Sequence, residues 1–403
     1  MRCDVAIVGA GAAGLHCAAI CGQLGRSVVL IDHAAKLAEK IRISGGGRCN
    51  FTNVDAGPAN FESANPDFCR SALARYTPRD FIDLVERHGI AWHEKHQGQL
   101  FCDGSSAAII QMLVAECEAG GVERWQPCRV DIVRKDGDAF ALETTRGTLR
   151  ASRVVVATGG LSIPKIGATD WGYVLARRFG HRIVEPRPAL VPFVCDGADW
   201  QPFAGLAGVA LPVRARALQS APEFAEDLLF THRGLSGPAA LQISIWWRPG
   251  EAIAIDLAPE GDLARTLIAE KSGRRHVGSV LADVLPRRLA DAWVAAALGG
   301  DRPVAEVRDR ALEVLAGALH RWTPAPSDTE GWKKAEVTAG GVDTRDLDSR
   351  SCESRLVPGL HFIGEVVDVT GWLGGYNFQW AWASAAACAR AIAAVCPGSG
   401  RGL

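Results

Sequence analysis

"DVAIVGAGAAGLHCA", residues 4–18, decides how the chain is read. An apolar run over 4–8 enters a turn carrying Gly9, Gly11 and Gly14, and a helical pattern follows over 12–24. In a Gly-x-Gly-x-x-Gly turn each glycine has its own task. The first permits the sharp turn, the second lets main chain approach a pyrophosphate, and the third lets the helix pack closely on the strand. The helix start, with Ala12 and Ala13 ahead of Gly14, offers free N–H groups and a positive dipole end to phosphate. The motif is completed by an acid about 20 residues further on. A second apolar strand over 27–32 ends in Asp32, placed to accept from a ribose hydroxyl. Strand, turn, helix and acid in one register predict a dinucleotide site rather than an empty tight corner.

Working outward, "KIRISGGGRCNFTN" over 40–53 sets Ser44, Gly45, Gly46 and Gly47 among Lys40, Arg42 and Arg48. Main chain without β-carbons can lie flat on a ligand, and successive N–H groups form an anion-binding nest. Cys49 and Asn50 follow directly. Cys49 beside Arg48 is a candidate reactive thiol, set against a buried structural cysteine. A third segment, "VVVATGG" over 154–160, is a strand ending in Thr158, Gly159 and Gly160. The fourth is "GLHFIGEVVDVTGWLGGYNFQWAWASA" over 359–385. Here a strand precedes Gly364 and Glu365, and Asp368 follows, an acid suited to the ribityl hydroxyls of a flavin. Gly374 and Gly375 then lead into a helix beginning near Asn377 and Phe378, whose N-terminus would stabilise an anionic reduced flavin. FAD, held non-covalently, is therefore the expected cofactor. No second Gly-x-Gly-x-x-Gly with its acid occurs over 160–360, so NADPH or NADH would dock transiently as reductant.

The bulk numbers agree with an enzyme and narrow its partners. The chain has 403 residues, 48% apolar and 22% charged, with a formal net charge of −1. That length allows two or three domains, and the charge balance gives no whole-molecule attraction to nucleic acid or an anionic membrane. The expected partner is a small-molecule substrate. An RNA partner would need a local basic face, for which Arg274, Arg275, Arg287 and Arg288 are the candidates. Twelve cysteines are scattered without a CxxC pair, which suggests a reducing cytoplasm and no zinc site. No apolar run is long enough to span a bilayer. Monomer and dimer are left open by the composition.

Both ends of the chain read as strand, glycine turn and helix, and the middle does not. The expected fold is α/β: a discontinuous Rossmann-like FAD-binding domain (1–189 and 326–403), an inserted β-barrel-like domain (190–255) and a helical subdomain (256–325). In the insert, "FTHRGLSGP" over 230–238 is the most site-like stretch. Thr231 and His232 sit in a Gly- and Pro-shaped turn, with His232 a candidate proton donor or acceptor near neutral pH or simply part of a structural turn.

Taken together, the fingerprint, "ISGGGRCNFTN", "ATGG", "LLFTHRGLSGPAALQIS", "KAEVTAGGV" and the long C-terminal segment resemble the bacterial BaiN-like flavoproteins, also called aminoacetone-oxidase-family FAD-binding enzymes. The resemblance runs over nearly the full length. It implies an FAD-dependent oxidoreductase, NAD(P)H-linked, reducing an activated C=C bond in a small molecule or nucleobase. Flavin-dependent amine oxidation and reduction of RNA uridine to dihydrouridine are the alternatives it carries. One departure is Trp171 after Asp170, where the family usually has smaller residues; the indole would narrow a pocket there.

Overall fold

The computed structural model describes residues 1–217 and 221–394. They form two compact units: 1–187 with 337 onward, and 188–336.

The first unit is built on a seven-stranded sheet. Its strands are β1 (Arg2–Val8), β2 (Val28–Ile31), β3 (Glu123–Trp125), β4 (Val130–Asp136), β5 (Ala139–Thr144), β6 (Gly147–Val156) and β7 (Leu360–Phe362). β1 lies between β2 and β6, parallel to both, with Val8 opposite Ile31 on one side and Val156 on the other. β3 extends the parallel part beyond β2. The long β6 is used twice. Its first half pairs antiparallel with β5, and its last residues, Val154 to Val156, pair parallel with β7. Sequence positions near 155 and 361 thus meet, so the C-terminal segment returns to the strand that pairs with β1. Val5, Ala6 and Ile7 are wholly buried, as expected for a strand covered on both faces.

Three helices cover this sheet: α1 (Ala12–Gln23), α2 (Ala107–Ala119) and α3 (Tyr376–Ala394). α1 packs against both of the others. It is apolar nearly all round because it is buried nearly all round, which fits a helix inside a large core. The helical stretch expected over 67–89 is two helices, Arg70–Arg75 and Pro78–Arg87. The break has a local cause: Thr77 and Asp80 form a reciprocal cap, and Pro78 opens the second helix.

The second unit carries a six-stranded antiparallel sheet, in the order Ile253–Asp256, Ala210–Ala217, Phe224–Phe230, Gly234–Ser236, Phe193–Val194, Asp328–Thr329. Helices Leu263–Ala269, Val277–Leu281, Arg287–Leu298 and Asp309–His320 follow in the chain. An aromatic core of Trp200, Phe230 and Trp322 fills this unit, with stacked rings 5.9 to 6.4 Å apart.

Candidate functional site

The fingerprint turn is fixed by contact between backbones. A β-carbon on Gly9 would lie 2.3 Å from the Ala157 carbonyl oxygen, and one on Gly14 would lie 1.8 Å from the Gly9 carbonyl oxygen. No side chain fits at either place. Gly11 differs: a β-carbon there meets nothing within 4 Å. Gly11 is also the N-cap of α1, with no side-chain cap and no acid in the first turn. The first N–H groups of α1 therefore have no side-chain cap, beside open space at Gly11.

Asp32 is locked against this turn. Its Oδ2 accepts from Ala10 N at 2.6 Å and its Oδ1 from Ala34 N at 2.7 Å. Each carboxylate oxygen can accept a further bond, so the carboxylate is oriented without being used up.

The C-terminal motif arrives at the same place. A β-carbon on Gly364 would sit 2.9 Å from Ala13 Cβ, in the first turn of α1. Gly364 is held by Ser384 Oγ on its N–H at 3.0 Å, and its carbonyl accepts from Trp380 Nε1 at 3.1 Å. Trp380 and Trp382 are core residues, buried in α3. Gly160 closes the third side, since a β-carbon there would meet Thr338 Oγ1 at 2.2 Å and Glu365 Oε1 at 2.9 Å. Gly159 faces open space. Thr158 turns its hydroxyl toward Gly172, where the oxygen is buried without a hydrogen-bond partner among the described residues.

The glycine loop differs from expectation in its charges. Three cations were expected around Ser44–Gly47. Lys40 Nζ instead lies 2.5 Å from Glu365 Oε2 and 2.6 Å from Ser162 Oγ. Glu365 Oε1 also accepts from Thr338 N at 2.8 Å. Lys40 and Glu365 are partners that strap the loop to the returning chain. Arg42 pairs with Glu39 at 3.0 Å. Arg48 is exposed and has no ion pair among the described residues. Ser44 Oγ donates to Ile41 O at 2.8 Å. A β-carbon on Gly45 would collide with Asn50 N and the Phe101 ring, whereas Gly46 and Gly47 face open space.

Cys49 does not fit the role of a reactive thiol. It is wholly buried, and burial pushes its thiol well up despite the Ser44 hydroxyl. A thiolate needs solvent or a cation, and Cys49 faces neither. Asp368 is likewise buried. Its Oδ2 accepts from Ala64 N at 2.9 Å and Ser63 Oγ at 3.4 Å, and desolvation raises its carboxyl above the usual range. Asn377 binds main chain: its amide donates to Gly371 O at 2.8 Å and its Oδ1 accepts from Gly371 N at 2.9 Å. Phe378 stacks on Trp382 at 5.7 Å. Trp171 donates from Nε1 to Val130 O at 3.0 Å, which anchors its indole on β4.

Several positioning residues escaped the sequence reading. Strands Asn50–Asn53, Gln99–Cys102 and Trp92–Glu94 form a small separate sheet. From it, buried Asn53 donates to Gln97 O at 2.9 Å and to Gly374 O at 3.0 Å. The Asn50 carboxamide lies 3.2 Å from both Gln99 Oε1 and Gly375 N. Buried Thr52 donates to Gln379 Oε1 at 2.7 Å. These bonds tie the glycine loop to the Gly374 and Gly375 turn at the start of α3. The available signal was Gln379, a polar residue inside an Ala-rich helix.

In the second unit, Thr231 staples its own turn. Its hydroxyl accepts from Arg233 N at 3.2 Å and Gly234 N at 3.1 Å. His232 is exposed, with no hydrogen bond among the described residues. Arg275 is paired with Asp283 at 2.7 Å and Arg287 with Asp291 at 2.9 Å, while Arg288 bonds the Gly205 and Ala207 carbonyls. Arg274 is exposed.

A crowded glycine crossing, an uncapped helix start with free space at Gly11, and an oriented acid at the end of β2 fit the diphosphate and ribose of a dinucleotide. The fold and this site define an FAD-dependent oxidoreductase of the Rossmann-like class. The chain belongs to the family described as HI0933-like protein Rossmann domain, which matches residues 3–391. It is 49% identical to the ribosomal RNA dihydrouridine synthase of Escherichia coli K12, over 98% of each chain. It is 45% identical to the protein of the same name from Haemophilus influenzae, over 96% of this chain and 97% of that one. A 3-dehydro-bile acid delta(4,6)-reductase from Clostridium scindens is 28% identical, over 96% and 98%. Among the described residues no helix is long and apolar enough to cross a membrane.

Proposed function

We propose that the protein reduces a C=C bond conjugated to a carbonyl, and that its substrate is the pyrimidine ring of uridine in ribosomal RNA. The observation that carries this reading is the end-to-end similarity to two proteins named ribosomal RNA dihydrouridine synthase, at 49% and 45% identity. The bile-acid reductase supports the same bond chemistry on a different skeleton. In the net reaction the uridine C5=C6 bond gains a hydride and a proton, and NADPH or NADH is oxidised. The proposed setting is the cytoplasm, where reduced thiols and ribosomal RNA occur together.

When bound non-covalently, FAD supplies hydride transfer. In this reading Gly9, Gly11 and Gly14 with the start of α1 hold the diphosphate, and Asp32 holds the adenosine ribose. Gly46, Gly47 and Arg48 cover the phosphates from the loop side. Lys40 and Glu365 keep that loop against the returning chain, and Gly374 and Gly375 aim the start of α3 at the flavin. His232, which is exposed and makes no hydrogen bond among the described residues, is the proposed proton donor.

The test starts from the yellow holoprotein, titrated anaerobically with NADPH and NADH. Transcribed ribosomal RNA is then added and digested, and its nucleosides are weighed. The reading expects bleaching by a nicotinamide and a uridine that gains two hydrogens. A flavin that bleaches while RNA stays unchanged, with turnover of a small enone, would replace RNA by a small-molecule substrate.

A further inference from the structure

We infer that Arg75, Arg350 and Arg390 form a phosphodiester-binding surface through which the protein grips folded RNA. This rests on the RNA reading above for the identity of the partner.

The three arginines come from distant parts of the chain and meet through main-chain carbonyls. Arg75 Nη2 donates to Arg350 O, and its Nε donates to Ser71 O at 3.1 Å. Arg390 Nη1 donates to Arg75 O at 2.8 Å, and its guanidinium stands 5.6 Å from the Tyr76 ring centre. The Arg350 side chain makes no hydrogen bond among the described residues, and all three residues are exposed. Among the described residues no carboxylate oxygen lies within 4.0 Å of any of the three guanidinium groups.

A carbonyl orients a guanidinium without neutralising it, so this patch keeps its charge. The acids nearby are engaged, Glu116 among them, which lies 2.7 Å from His88 Nε2. Asp348 accepts from the main-chain N–H groups of Arg350 and Ser351 and lies 4.0 Å from Arg355. Asp80 caps Thr77. The arginines of the helical insert, the candidates for a basic face from sequence, behave differently: Arg275 and Arg287 are spent on Asp283 and Asp291. Among the described residues Arg274 and Arg288 keep their charge in the insert, where Arg288 bonds only carbonyls, whereas in the first unit three such arginines are linked to one another through the main chain.

Position also favours a large ligand. Arg390 lies roughly 21 Å along α3 from Tyr376, at 1.5 Å per residue. A nucleoside cannot reach both the Gly374 and Gly375 turn and this patch; a folded RNA can. Planar forks suit phosphate oxygens, and shape-based RNA recognition runs largely through backbone contacts.

The experiment compares the wild-type holoprotein with R75Q/R350Q/R390Q and R75K/R350K/R390K. Each is titrated with transcribed ribosomal RNA across a KCl series and assayed for dihydrouridine. The glutamine variant is expected to bind about 10- to 100-fold more weakly at 0.15 M salt. Its log Kd against log salt should be shallower by about two to three, at 0.7–0.9 per phosphate contact. The lysine variant should lose clearly less affinity than the glutamine variant and keep the wild-type salt slope, because charge is kept while the forks are lost. FAD content and bleaching by NADPH should be the same in all three.

If the glutamine variant folds poorly, R350E alone carries the test, since that side chain makes no internal bond. A wild type that forms dihydrouridine, with a glutamine variant that binds RNA as tightly and as steeply, overturns the surface and leaves the function intact. Equal losses in the lysine and glutamine variants also overturn it, because structure rather than charge would then be at work. RNA binding through the triad with no dihydrouridine keeps the surface and overturns the function. No RNA binding by wild type overturns both.

Discussion

Two glycine-rich turns meet at the candidate site, and they are glycine-rich for different reasons. In the turn over 9–14, Gly9 and Gly14 are demanded by the fold, because main-chain oxygens occupy the space a side chain would need. In the loop over 44–47, Gly46 and Gly47 adjoin open space and have positive φ values of 65° and 86°. The first turn is rigid by packing. The second is free to lie on a ligand and is held in place from its flanks, by Lys40 on Glu365 and by Asn50 and Asn53 on the Gly374 and Gly375 turn. Glycine content alone does not distinguish a joint from a cradle; what surrounds the missing β-carbon does.

The harshest challenge to this contrast is Gly14→Val. The side chain would displace the Gly9 carbonyl and drive α1 off β1. The expected outcome is loss of on the order of 4 kcal/mol or more, as for other severe core clashes. It would be read as insoluble protein or a collapsed thermal transition. A stable, folded Gly14→Val protein would break the claim that this turn is packing-determined. Gly11→Val comes next and separates the two roles within the same turn. Its side chain enters space open to a ligand, so the apoprotein should unfold within about 1 kcal/mol of wild type, the range of an N-cap change. FAD should be lost, measured as flavin absorbance per polypeptide after desalting. Full occupancy in that variant would move the dinucleotide elsewhere.

The contrast also explains what could be read from the chain without coordinates. The fingerprint was legible because all its parts lie within 32 residues: strand, turn, helix and Asp32 meet through local geometry. The convergence of both chain ends was legible too, since two strand-and-glycine patterns framed a stretch of different character. The identities Lys40 and Glu365 were visible, but not their pairing, which joins segments 325 positions apart. Each residue looked like a ligand because residue type reveals what a side chain can bind, while partner choice depends on a sheet register that brings β7 beside β6. Cys49 shows the opposite limit: its sequence neighbours allowed both a thiol activated by Arg48 and a buried structural cysteine, and only the strand after the loop, which turns the thiol into the core, separates the two. The basic surface was sought where arginines are consecutive, in the insert, and a patch assembled from residues 75, 350 and 390 leaves no such mark.

A milder probe sharpens the account of the loop. Lys40→Met leaves Glu365, whose side chain is 17% exposed, without its cation. Part of the charge reaches water, so the cost should be about 1–3 kcal/mol, below that of breaking a fully buried pair. In a double-mutant cycle, Glu365→Gln added to Lys40→Met should recover part of the loss. The cycle is read by chemical denaturation of the apoprotein and, separately, by FAD affinity. Strict additivity would mean that the strap does not hold the loop, and that Lys40 acts independently of Glu365.

The smallest effect tests how dry the helix behind the fingerprint is. His16 follows Gly14 by two positions and is buried among Tyr76, Phe81 and Trp382, with its Nε2 unpartnered among the described residues. Burial lowers its imidazole from 6.5 to about 3. The native state therefore keeps His16 neutral where the unfolded chain takes a proton. Stability is untouched above pH 6.5 and declines as pH falls from there toward 3. Between pH 7 and 5.5 this one residue should cost about 1 kcal/mol. His16→Leu, close in volume and unable to titrate, should remove that part of the acid slope while leaving stability at pH 8 within about 1.5 kcal/mol of wild type. An unchanged slope would mean that protons reach the imidazole in the folded state, and that the packing under the fingerprint is looser than its glycine contacts imply.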